Sequence, residues 1–202
     1  MAKARRRTTV QDERSTRERW LREGLEILAR LGEPAVKVDV IARKLKISRG
    51  SFYWHFVDRT EFLSALLEEW RREATTAIHE QLLRDVDLTP IERLGFLERL
   101  ASSGYPEVPG GQIERALTQW ASYNEKAAAM LLLVHEERLR FVEALFRGMG
   151  YRKPALAAEI FYGYLVGRNQ LLAAGVPLDR SDHGSALFEL LESAGRVRRP
   201  RR

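Results

Sequence analysis

An all-α fold is predicted by three features of this 202-residue chain. Apolar residues recur at i, i+3, i+4 and i+7 in nearly every segment that shows a period. No run alternates β-branched with polar residues between hairpin turns. Helix start signals, an oxygen-bearing cap followed three residues later by Glu, stand before several of the apolar runs. Apolar residues make up 45% and charged residues 31%, a balance that suits a globular chain and excludes collagen-like and low-complexity classes. Cysteine is absent, which excludes disulfide frameworks, thiolate zinc sites and cysteine nucleophiles. The longest uncharged stretches fall well short of the roughly 18 apolar residues of a membrane span. Met1 to Arg7 lead into Thr8, Thr9, Val10, Gln11 and Asp12 rather than an apolar signal core, so a cytoplasmic protein is expected.

The first helix is expected to open at Ser15, with Glu18 completing a capping box, and to carry Trp20, Gly24, Ile27, Leu28 and Leu31 on one face before Gly32 stops it. Val38, Ile41, Ala42 and Leu45 then form an apolar stripe on a helix of about two turns, too short to stand alone. Ser48 is placed to cap a third short helix in which Phe52 and Phe56, four apart, point inward together. Asp58 and Glu61 form a further capping box for a long helix running to about Arg84, with Leu63, Leu66, Leu67, Trp70, Ala74 and Ile78 inward. Thr89, Pro90 and Glu92 start a helix to about Ala101, and Ser102 to Gly111 read as a loop. Helices follow over about Gln112 to Ser122, Asn124 to Gly148, Pro154 to Gly175 and Asp182 to Ala194. The expected domains are 1–60, then 61–195, with a basic tail at 196–202.

Charge divides the same way. Residues 1–60 hold 15 Lys and Arg against 8 Asp and Glu, whereas 61–195 hold 14 against 20. A basic first third joined to an acidic remainder is the footprint of a nucleic-acid-binding module fused to another domain. Two short helices joined by a tight turn, the second rich in outward Arg, Ser, Tyr, Trp and His, describe a helix-turn-helix. With Phe52 and Phe56 turned inward, the other face is free to enter the major groove. Arg49 can make bidentate bonds to guanine O6 and N7. Gly50 lets the backbone approach a phosphate at a helix N-terminus. Ser51, Tyr53 and His55 supply hydrogen bonds, Trp54 offers apolar contact with a thymine methyl, and Arg59 can clamp a flanking phosphate.

The stretch Val38 to Phe62, VDVIARKLKISRGSFYWHFVDRTEF, resembles the DNA-binding signature of the TetR family of bacterial transcriptional regulators. The isoleucine-alanine pair, the Ser-Arg-Gly turn and the Tyr-x-His-Phe run carry the likeness, which covers about 50 residues. The resemblance places Arg49, Gly50, Ser51, Tyr53, Trp54, His55 and Arg59 at DNA-contacting positions, with Ser48 in the turn before them and Arg17 as a counterpart of a phosphate contact. Lys46 departs from the family's turn glycine, and Lys37 from the Ser or Thr that opens the second helix. Both lysines either add phosphate contacts or are solvated. Lys3, Arg5, Arg6 and Arg7 are either a minor-groove arm or a general electrostatic attraction, and the basic tail reads as solvated.

The resemblance further implies a C-terminal domain that forms a homodimer through its last two helices and encloses a small-molecule effector. Gly163 and Gly167, four apart, permit close helix approach there. Independently, one recognition helix reads only a few base pairs, and two placed one DNA turn apart, about 34 Å, read a palindrome. Polar or aromatic groups on otherwise apolar faces, Trp120, Tyr123, Met130, His135, Tyr162 and Asn169, are the candidate effector residues. The expected function is that of a repressor of transcription, bound to a palindromic site on double-stranded DNA and released by the effector. The open alternative is an effector-independent dimeric regulator whose C-terminal domain serves dimerisation or a protein partner. The four histidines, His55, His79, His135 and His183, fall on separate elements without metal or catalytic spacing, and no phosphate-binding glycine loop occurs. No enzyme activity, metal, cofactor or membrane association is expected.

Overall fold

The computed structural model describes residues 2–103, 111–178 and 187–191, and no strand occurs among them. Compactness groups Met1–Arg72 with Ile113–Met130 in one unit, and Glu73–Gln112 with Leu131–Arg202 in a second.

In the first unit, helix α1 spans Ala2–Leu31, so it does not begin at Ser15. Residues 2–14 contain neither Gly nor Pro and are rich in Ala, Lys and Arg, so nothing halts the helix at the serine. The basic N-terminus therefore continues α1 instead of forming an extended arm. Leu31, expected inward, is exposed. A short 3-10 turn at Glu33–Ala35 leads to α2, Val38–Leu45, then α3, Gly50–Tyr53, and α4, Arg59–Arg71. The α4 N-terminus is capped as expected: the Asp58 carboxylate accepts the Glu61 amide at 2.8 Å, while the Glu61 carboxylate reaches back to the Val57 amide at 2.6 Å.

Four rings form the centre of this unit. Phe52 lies 5.2 Å from Trp20 and 5.4 Å from Phe62, both edge to face, and 5.1 Å from Phe56. Gly24 is needed where α1 meets α4: a Cβ there would stand 2.8 Å from Leu66 Cδ2 and from Phe62 Cζ. That contact explains why residues beyond 60 remain with the first unit although the charge balance changes there. The segment 113–130 brings α7, Gln112–Ala121, whose Ile113, Ala116, Leu117 and Trp120 are buried, and the start of α8, Glu125–Gly148. Asn124 caps α8 by accepting the Ala127 amide at 3.0 Å.

In the span expected to be one helix from about Arg59 to Arg84, a π turn at Arg72–Thr76 intervenes before α5, Ala77–Arg84. Within this turn Arg138 donates to the Ala74 carbonyl and to Thr75 Oγ1, both at 3.0 Å, and a side chain inserted at the backbone is a known companion of such a local widening. Helix α6, Pro90–Ser103, opens with the expected reciprocal cap: the Thr89 amide donates to Glu92 at 2.7 Å. Most of the expected loop, 104–110, lies outside the described residues. Helix α9, Pro154–Ala173, packs Ala158, Phe161 and Leu165 into a core with Leu94, Val142, Phe146 and Tyr151. Of the last expected helix only 187–191 is described; it is helical, with Leu191 buried and Phe188 stacked 5.8 Å from Phe161.

Candidate nucleic-acid interface

The turn between α2 and α3 depends on one strained residue. Lys46 adopts the left-handed conformation, φ 56° and ψ 43°, and donates its amide to the Ala42 and Arg43 carbonyls. A side chain in that region costs about 1 kcal/mol relative to glycine, yet the turn closes, with the Ile47 amide bonded to Ala42 at 3.0 Å. Lys46 and Lys37 are both exposed. Ser48 does not cap α3 with its side chain: its carbonyl accepts the Ser51 amide at 3.1 Å and hydroxyl at 2.9 Å. With only four residues, α3 has too short an axis to build the dipole expected to anchor a phosphate at Gly50. The backbone turns on through Trp54 and His55 instead, where the His55 and Phe56 amides both donate to the Phe52 carbonyl.

Because Phe52 and Phe56 are buried, the intervening side chains are forced out. Trp54 is 85% exposed and Tyr53 65%, the Tyr53 ring standing edge-on to Phe52 at 5.3 Å. Arg49 and Gly50 are exposed, Ser51 is partly buried, and His55 is partly buried with its ring edge-on to Phe56. Val38, Asp39, Arg49, Gly50 and Tyr53 line an open cleft of about 590 Å³, in which the Arg49 guanidinium pairs with Asp39 at 3.1 Å. Arg17 is exposed on α1, its guanidinium 5.3 Å above the Phe56 ring. Of the expected DNA-contacting residues, the cleft brings Arg49, Gly50 and Tyr53 together.

Arg59 is differently committed. Its Nε donates to the Val36 carbonyl at 2.8 Å, and its Nη2 to the Glu33 carbonyl at 3.0 Å and carboxylate at 2.5 Å. It ties the turn before α2 to the start of α4, so its bonds inside the protein compete with any phosphate. Lys44 is likewise engaged, at 2.5 Å from Glu23 and 3.2 Å from Glu26, and the hydrogen bond to Glu23 raises its pKa.

The candidate effector residues divide between the units. Trp120 is buried and Met130 partly buried in the first, where Tyr123, exposed, donates to Glu33 at 3.4 Å. In the second, His135 Nδ1 and the Tyr162 hydroxyl meet at 2.7 Å, and Asn169 is partly buried. Of the six, the described contacts join only His135 and Tyr162. The same unit holds polar groups that no spacing in the sequence singled out. His79 stacks on Phe141 at 4.0 Å with planes 4° apart; burial and then the Arg138 charge lower its pKa to about 4, against the opposing effect of Glu137. Arg168 is buried. Asp39 was also missed, since a lone aspartate in a first helical turn ordinarily reads as complementing the helix dipole.

Among the described residues no group of three or more His, Cys, Asp or Glu is placed to hold a metal, and no helix is long and apolar enough to cross a membrane.

The fold and this face define a helix-turn-helix protein with a further helical domain. Residues 21–66 match the model of the bacterial regulatory proteins, tetR family. Among curated relatives, it is 39% identical over 61 residues to the uncharacterized HTH-type transcriptional regulator TtgW of Pseudomonas putida, covering 30% of this chain and 46% of the relative. It is 33% identical over 84 residues to the transcriptional regulator AcuR of Cereibacter sphaeroides, covering 42% and 38%. The matched segments thus span less than half the length of these relatives. The solved structure of regulatory protein TetR from Rhodobacter sphaeroides aligns with a TM-score of 0.69 at 25% identity, over 88% of this chain and 97% of that one. A transcriptional regulator from Saccharomonospora viridis, solved in complex with choline, shares the fold with a TM-score of 0.73 at 18% identity, over 91% and 99%.

Proposed function

We propose that this protein is a sequence-specific DNA-binding regulator of transcription, a dimeric repressor that leaves a palindromic operator when a small molecule binds. The observation that carries the reading is the ring cluster of Trp20, Phe52, Phe56 and Phe62, which fixes the recognition segment as a rigid body with Arg49, Tyr53 and Trp54 outward. A reader of base edges needs such rigidity, because each bidentate contact depends on sub-ångström placement. Residues 1–60 serve as the reading module, with Arg17, Lys37, Lys46, Ser48, Arg49, Gly50, Ser51, Tyr53, Trp54 and His55 facing DNA, and Arg59 bracing the module from within. Residues 61–195 serve dimerisation and effector binding, and the basic tail 196–202 lies outside the described residues.

A surface on α9 supports the dimer. Leu156, Ile160, Gly163, Gly167 and Leu171 follow one another at spacings of three and four; the three apolar side chains are about half exposed, and among the described residues no side chain stands within 4 Å of where a Cβ would lie on either glycine. The effector reading is supported by the neighbour solved with choline, a small molecule, and by the polar groups of the second unit, His135 with Tyr162 and Arg138 with Thr75. Ligand release of the operator requires only differential affinity for two conformations: a 100-fold loss corresponds to about 2.7 kcal/mol. The soluble dimer is placed in the cytoplasm, where its DNA is, and no catalytic activity is assigned.

In vitro selection from a random duplex pool tests the reading. Enrichment of a palindrome with half-sites one helical turn apart is expected. Recovery of unselected DNA, with affinity collapsing as salt rises, would overturn it.

A further inference from the structure

An ion pair on a surface meant for a polyanion is an anomaly. Arg49 is in the first turn of the recognition segment, and its guanidinium Nη1 is 3.1 Å from the Asp39 carboxylate on the neighbouring helix α2. Both side chains are largely exposed, at 72% and 61%, and an exposed pair of this kind adds little to stability. Asp39 also repels the phosphates that this face must approach. A carboxylate there weakens general attraction to DNA, so its contribution has to come from the geometry it imposes.

We propose that Asp39 is a positioning residue for base readout: it holds Arg49 by Nη1 so that the remaining Nε and Nη2 donors present a fixed fork to guanine O6 and N7. The inference rests on the DNA-reading function above. A free arginine carries several rotatable bonds, and ordering them on DNA costs affinity for the correct base as well as the wrong one. Held from one side by a carboxylate, the planar guanidinium offers its two free N–H groups in parallel, the arrangement that guanine accepts and that adenine, with a donor at N6, does not. The cleft lined by Val38, Asp39, Arg49, Gly50 and Tyr53 leaves the pair open to a base edge.

The experiment is selection of bound duplexes by the full-length wild type and by Asp39→Asn, Asp39→Ala and Arg49→Lys, followed by titration of single-base variants of the wild-type site at several salt concentrations. Thermal melts check that each variant is folded. Asp39→Ala is expected to reduce discrimination at one guanine position of each half-site by about tenfold. Its affinity for unselected DNA should hold or rise, because a negative charge has been removed. Arg49→Lys should relax the same position, and the double variant Asp39→Ala with Arg49→Lys should relax it no further. A structural role for Asp39 would instead lower affinity for all sequences alike. Uniform loss, or unchanged discrimination at every position in Asp39→Ala, would overturn the inference while leaving the regulator reading intact. Failure of the wild type itself to select any pattern would overturn that reading and this inference with it.

Discussion

Arg59 and Glu33 close on each other across 26 residues of chain, the guanidinium bonding both the carbonyl and the carboxylate of the glutamate. The other carboxylate oxygen accepts the Tyr123 hydroxyl at 3.4 Å, so a residue from the α7–α8 junction shares the same anchor. The turn before α2 is therefore held by a side chain that the sequence offered as a phosphate clamp.

Removing that anchor should unfold the reading module more readily. Arg59→Ala removes the guanidinium from the Val36 carbonyl and from Glu33, whose carbonyl keeps only the Val36 amide, and is expected to cost about 1–2 kcal/mol, read from the midpoint of urea denaturation; part of the ion pair is exposed and contributes less. Arg59→Lys, which keeps the charge but not the fork, should recover only part of the loss. A midpoint unchanged in both variants would show that the clamp is idle in solution.

Gly24→Ala sets two effects against each other. Helix propensity favours alanine by up to about 1 kcal/mol. The added methyl, however, would meet Leu66 and Phe62 at 2.8 Å, and both are buried in the core. Overpacking of a tight core costs typically about 1–3 kcal/mol, so net destabilisation is expected, measured by the same denaturation.

Lys46→Gly relieves the left-handed strain and should leave stability equal or raise it by up to about 1 kcal/mol, offset by the freedom that glycine gains when unfolded. If Lys46 meets a phosphate, the slope of log affinity against log salt falls by about one in this variant. An unaltered slope assigns it to solvent.

His79 gives the protein an acid-sensitive point. Its pKa is about 4 when folded, against 6.5 as the ordinary value. Between these limits the unfolded chain binds the extra proton, so this residue's contribution is intact above about pH 6.5 and is lost as pH falls toward 4. His79→Phe keeps a flat ring against Phe141 and cannot titrate; its stability should decline less steeply across that window, as followed by thermal melts at stepped pH.

Ile160→Glu places a charge in the half-exposed α9 stripe. Sedimentation of the wild type should give a dimer and that of the variant a monomer, with weaker binding to a palindromic site. A variant that stays dimeric would move the interface elsewhere.

The helical elements were legible because their signals are local. Phe52 and Phe56 stand four apart, Asp58 faces Glu61 three residues on, and Thr89 faces Glu92 at the same spacing; each relation is a single turn of helix and survived into the structure. What could not be read depends on distance along the chain. Arg138 meets Thr75 across 63 residues and Tyr123 meets Glu33 across 90, so no spacing rule reaches them. Ser15 misled for a different reason: a capping residue marks a helix start only where the preceding residues resist the helix, and residues 2–14 do not.

Of the four tryptophans, Trp20, Trp70 and Trp120 are at most 3% exposed, and Trp54 stands in solvent beside Arg49's helix. Long-wavelength emission, and quenching by a dissolved anion such as iodide, are thus dominated by one indole on the face offered to DNA. Intrinsic fluorescence reports from that face without any attached dye, and steady-state titration with duplex can follow its occupancy in the unmodified protein.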